Sequence, residues 1–73
     1  MIDPYELIDI IESERLKQGI KITELSARTG VTRTTYYHWR ERRKVPRLPQ
    51  LIAVAEALGM TVVFSKEVED DAT

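Results

Sequence analysis

Cysteine is absent and histidine occurs once, at His38. Disulfides and thiolate metal sites are therefore excluded, and one imidazole cannot build a histidine-based metal centre alone. No apolar run approaches the roughly 20 residues of a membrane-spanning helix. The first residues, Met-Ile-Asp-Pro-Tyr-Glu, lack the basic start and apolar stretch of a signal peptide, so the chain reads as soluble and mature from Met1. A cytoplasmic location fits. The three glycines, Gly19, Gly30 and Gly59, stand far apart, so there is no glycine-rich phosphate loop. With no metal constellation, no cysteine nucleophile and little volume to enclose a substrate, an enzyme is not expected, nor is a cofactor.

What is present fills one domain of 73 residues with a net charge of −1. That small value conceals an uneven distribution. Residues 1–14 carry five acids and no base; residues 15–47 carry ten bases and two acids; residues 48–73 carry one base and five acids. A cationic middle between acidic ends is suited to an anionic partner.

Local signals divide the chain into helices. Asp3, Pro4 and Glu6 form a capping-box start, with Ile2 and Leu7 placed for a hydrophobic staple. Leu7, Ile8, Ile11 and Leu16 give an apolar stripe, and Gly19 ends this helix. Thr23 is a candidate N-cap for a short second helix that stops at Gly30. Thr32 then caps a third helix from Arg33 to about Arg43, which Val45-Pro46-Arg47 breaks. Pro49 and Gly59 bracket a fourth helix with Leu51, Val54, Ala55 and Leu58 on one face. Met60 to Ser65 is short, apolar and β-branched, which favours a strand. An acidic segment, 67–73, is expected to be disordered.

Two short helices meeting at Thr29-Gly30-Val31 have the form of a helix-turn-helix, whose second helix enters the major groove of DNA. At about 100° per residue, Arg33, Thr34, Tyr37, His38 and Glu41 share one face of the third helix, and Tyr36 and Trp39 lie opposite. Arg33, Thr34, Tyr37 and His38 are the candidate base contacts; arginine can donate twice to guanine, and threonine can donate or pack its methyl on thymine. Glu41 could accept from cytosine, but an internal ion pair is its commoner fate. Arg40, Arg42, Arg43, Lys44 and Arg47, with Thr23 and Thr32 at helix N-termini, are candidate phosphate contacts. Tyr36 and Trp39 could stack on unpaired bases, yet their place opposite the polar face favours core anchoring.

Residues 11–59 resemble the lambda-repressor and Cro-like helix-turn-helix domains. The resemblance is carried by Ile11 and Arg15 before Gly19, by Thr23-Glu24-Leu25-Ser26, by Gly30-Val31-Thr32, by Leu48-Pro49 and by Ala57-Leu58-Gly59. It implies a mainly α fold: a compact four- to five-helix bundle containing the helix-turn-helix, followed by a short C-terminal β-strand. It also implies that Arg33, Thr34 and His38 read bases, that Thr32 and the Arg42–Arg47 loop hold the backbone, and that dimers bind near-palindromic operators. Ser26 replaces a usual alanine, Tyr36 a usual branched aliphatic and Ile22 a frequent glutamine. Arg40 stands where an acid often pairs with the arginine at Arg15, and Glu41, one residue along, is a substitute.

The strand resembles those that pair between subunits in Cro-like repressors and in antitoxins of the same superfamily. A lone strand leaves N–H and C=O groups unpaired, and a second chain satisfies them while enlarging a small core. Thr61, Val62, Val63 and Phe64 are the candidate dimerisation residues; folding back on the chain's own helices is the other outcome. The expected organisation is one DNA-binding domain, 1–66, with its dimerisation strand at about 60–66. The leading reading is a homodimeric repressor of double-stranded DNA, with activation depending only on where the operator lies. Two readings compete with it: an antitoxin that binds a toxin through its acidic ends, and an excisionase-like architectural factor, suggested by Tyr36-Tyr37-His38-Trp39-Arg40.

Overall fold

A computed structural model describes residues 3–63. Four helices occupy them: α1 Pro4–Gln18, α2 Ile22–Thr29, α3 Arg33–Arg40 and α4 Leu48–Ala57. α2 packs on α4, α3 on α1 and α2, and α1 also on α4. Among the described residues no helix is long and apolar enough to cross a membrane.

The capping signals act where they are expected at both ends of α1. The Tyr5 N–H donates to the Asp3 carboxylate at 2.9 Å, and the Asp3 N–H donates back to Glu6 at 3.3 Å. Gly19 takes a left-handed φ of 71°, which lets the Ile20 N–H return to the Arg15 carbonyl. Ile2 of the expected staple lies outside the described residues.

Three boundaries differ from expectation. α2 starts at Ile22 rather than after Thr23, with Lys21 as an N-cap that makes no side-chain bond. The Leu25 N–H already reaches the Lys21 carbonyl at 3.0 Å, so Thr23 sits inside the first turn and caps nothing. α3 stops at Arg40, short of Arg43. There Arg42 adopts φ 60°, the conformation glycine usually supplies, and the Arg43 N–H folds back to the His38 carbonyl at 2.8 Å. α4 begins one residue before Pro49, which occupies its first turn.

The core comprises Ile8, Ile11, Leu25, Val31, Tyr36, Trp39, Leu51, Val54, Ala55 and Leu58. All four residues assigned to the apolar face of α4 belong to it. Leu16 does not; it is 63% exposed, while Glu12 and Arg15 are buried. Leu16 lies about 100° past Arg15 around the helix, beyond the arc that faces α3. There is no fifth helix among the described residues, and residues 60–63 form no strand ladder. The remainder of the expected strand, including Phe64, and the 67–73 tail lie outside the described residues.

Candidate nucleic-acid interface

The turn between α2 and α3 is built from three local devices. The Thr29 hydroxyl donates to the Leu25 carbonyl at 2.9 Å and accepts from the Val31 N–H at 3.2 Å. Gly30, at φ 79°, donates its N–H to the Ser26 carbonyl at 2.8 Å. The Thr32 hydroxyl then accepts from the Thr35 N–H at 3.2 Å and opens α3. Val31, between them, is buried and ties the turn to the core.

α3 is divided as its periodicity predicts. Tyr36 and Trp39 are 2% and 1% exposed and meet at 6.1 Å between ring centroids, tilted by 59°. Both are therefore core anchors and are closed to base stacking. Arg33, Thr34 and Tyr37 are exposed, and His38 is half-buried. The structure thus brings the four candidate base contacts to the side of α3 turned away from its own domain.

A buried carboxylate on α1 holds the inner side of α3. Glu12 accepts from Arg15 Nε at 2.8 Å, from Arg15 Nη2 at 2.5 Å and from the Tyr36 hydroxyl at 2.8 Å. Arg40 Nη1 approaches the same carboxylate at 3.3 Å. Arg15 also donates to the Ile20 carbonyl at 2.7 Å. Burial alone pushes the Glu12 carboxyl up, but hydrogen bonds from Arg15 and Tyr36 and the charges of Arg15 and Arg40 prevail and hold it below its ordinary value. The bond to Glu12 raises Arg15 further. Burial, then the adjacent Glu12, push the Tyr36 phenol well up.

This cluster corrects one expectation. The acid partner of Arg15 is Glu12, three residues earlier on the same helix, not Glu41, which pairs with Arg43 at 3.2 Å. An arginine at position 40 is accommodated because its acid comes from α1. Sequence reading did not single out Glu12, although an acid and a base three apart beside Ile8 and Ile11 are a visible signal.

The candidate phosphate groups are placed unequally. Thr23 and Thr32 are exposed in the first turn of α2 and at the cap of α3. Arg42 leans back over α1, its guanidinium 5.2 Å from the Tyr5 ring centroid and 3.5 Å from Asp9. Arg40 is drawn toward Glu12, and Arg43 toward Glu41. Lys44 and Arg47 are exposed and have no ion-pair partner among the described residues. The result is an exposed polar helix beside a cationic loop, a shape and charge that suit a nucleic-acid groove.

A second surface lies between α1, α4 and the chain after α4. Leu7, Ile10, Ile11, Leu48, Leu51 and Val62 are among the residues lining an apolar groove of about 250 Å³. Ile10 and Leu48 on its edge are about half exposed, and Val63 is 74% exposed.

A family model described as helix-turn-helix matches residues 11–64. No curated protein and no solved structure matches the chain.

Proposed function

The chain belongs to the helix-turn-helix family of the lambda-repressor and Cro type, DNA-binding transcription regulators, and on that premise we propose that it is a homodimeric repressor reading the major groove with α3. One observation carries the reading: Tyr36 and Trp39 anchor α3 from within, so Arg33, Thr34, Tyr37 and His38 are free to face outward from a fixed helix. Arg33 donates to a guanine edge, Thr34 and His38 contact neighbouring bases, and Tyr37 contacts a base or a phosphate. Thr23, Thr32 and the cations of the Arg42–Arg47 loop hold the backbone and set the register.

The apolar groove supports the dimer. An exposed apolar surface continuous with residues 61–63 is the kind of surface that a second copy covers, with Thr61, Val62 and Val63 at a two-fold interface. Two reading helices then lie about one helical turn of DNA apart, which matches a near-palindromic site. The same groove beside the acids of α1 also fits a protein partner such as a toxin, and that is the second reading.

Fluorescence anisotropy against a pool of selected duplexes, at two salt concentrations, tests the proposal. Saturable, salt-sensitive binding with sequence preference, lost on Arg33→Ala, supports it. Binding without preference indicates an architectural role. No binding even at low salt refutes it and leaves the protein-partner reading.

A further inference from the structure

Three of the four helices are followed by a glycine in the left-handed region: Gly19 after α1, Gly30 after α2 and Gly59 after α4. α3 is the exception. Its end carries the two bonds of a Schellman turn, from the Arg43 N–H to the His38 carbonyl at 2.8 Å and from the Arg42 N–H to the Trp39 carbonyl at 3.1 Å. The position that glycine usually fills in such a turn is Arg42, at φ 60°, the one non-glycine residue with positive φ among the described residues. A side chain is strained in that conformation, which persists only where the surroundings hold it.

What holds it comes from α1. The Arg42 guanidinium lies 5.2 Å from the Tyr5 ring centroid and 3.5 Å from the Asp9 carboxylate. Tyr5 and Asp9 are four residues apart and share one face of α1. The ion pair is more than half exposed on both sides and contributes little alone, so the aromatic face carries the larger share. The loop beyond is short. Pro46 is buried, and only Arg43, Lys44 and Val45 lie between it and Arg42. The loop is thus pinned at both ends, and the backbone of Arg42 sets the direction in which Lys44 leaves α3.

We propose that Arg42 is a positioning residue for DNA binding: it clasps the loop to α1 through Tyr5 and Asp9, and so aims Lys44 and Arg47 at the phosphate backbone without touching it. The inference rests on the DNA-binding reading of α3 and deepens it, by dividing the loop cations according to task. The charge of Arg42 is already met within the domain. Lys44 and Arg47 have no ion-pair partner among the described residues and are left for the duplex.

The test compares the full chain with Arg42→Gly, Tyr5→Leu and the double variant. Glycine takes the left-handed turn without strain, so Arg42→Gly should melt close to the parent while the clasp is lost. Tyr5→Leu removes the clasp from the other side without changing any charge, and thermal melts identify a variant that has lost its fold. Each single variant should weaken duplex binding about threefold by anisotropy, and the double variant should be no weaker than the weaker single one. The slope of log affinity against log salt should stay that of the parent, because the phosphates contacted are the same in number. In the free chain, NMR order parameters of the Arg43, Lys44 and Val45 amides should fall in both variants. A salt slope flattened by about 0.9 in Arg42→Gly would instead make Arg42 a phosphate contact and overturn the proposal. So would parent-like affinity or parent-like loop order in either single variant, with the reading of α3 left standing. If the parent itself binds no duplex, the DNA-binding reading fails and the positioning role fails with it.

Discussion

Replacing Glu12 with alanine should loosen α3 more than any change on the surface. The side chain accepts two bonds from Arg15 and one from Tyr36, and draws in Arg40. Without it, Arg15 stays buried with only the Ile20 carbonyl as acceptor, and the Tyr36 hydroxyl has no partner in the cluster. Removing one side of a buried ion pair costs about 3–5 kcal/mol. At roughly 0.05–0.15 kcal/mol per residue, a domain of this length has only about 4–11 kcal/mol in total. The melting temperature should therefore fall by at least about 12 °C, taking the low end of about 4 °C per kcal/mol. Urea unfolding followed by circular dichroism, at one fixed protein concentration, measures the loss. Glu12→Leu combined with Arg15→Met should recover part of it, because no charge is then left buried. A loss below about 1 kcal/mol for Glu12→Ala, or a double variant no better than the single, would refute the argument that this carboxylate holds the helix. The cluster also predicts a pH dependence. The folded state holds the Glu12 carboxyl below its usual value of 4.5, so its stabilising contribution is complete above about pH 4.5 and lost as pH falls below it. Glu12→Gln should remove that part of the acid sensitivity.

Arg33→Ala should weaken binding to the preferred duplex by about 1–3 kcal/mol, while binding to mixed duplexes changes little; competition anisotropy separates the two. Lys44→Gln should lower affinity for all duplexes alike and reduce the slope of log affinity against log salt by about 0.9. Gly30→Ala should destabilise the fold by about 1–2 kcal/mol in a thermal melt, because φ is +79° there and a Cβ would meet no atom within 4 Å, so the cost is purely in the backbone. Val63→Lys should shift the chain toward monomer in sedimentation without altering its helical circular dichroism; an unchanged dimer would place the interface elsewhere.

Much of this architecture can be read without coordinates. Asp3 with Glu6, Gly19, Gly30 and Thr32 act on atoms within a few residues, so their effects are legible in the chain itself. The boundaries that were not legible lacked such a signature. Lys21 caps α2 without a side-chain bond, and Arg42 turns the end of α3 with no glycine to announce it.

By itself, the sequence determined the order of four helices, the helix-turn-helix and the separation of a polar from an aromatic face on α3, because helical periodicity and capping are short-range. Only the tertiary structure decided which charges are free. It joined Glu12 to Tyr36 and Arg40 across 24 and 28 positions, and turned Arg42 back onto Asp9 across 33. It left Lys44 and Arg47 with no acid partner among the described residues. A charge is claimed by whichever opposite charge stands within a few ångströms, and that distance is set by how the helices pack.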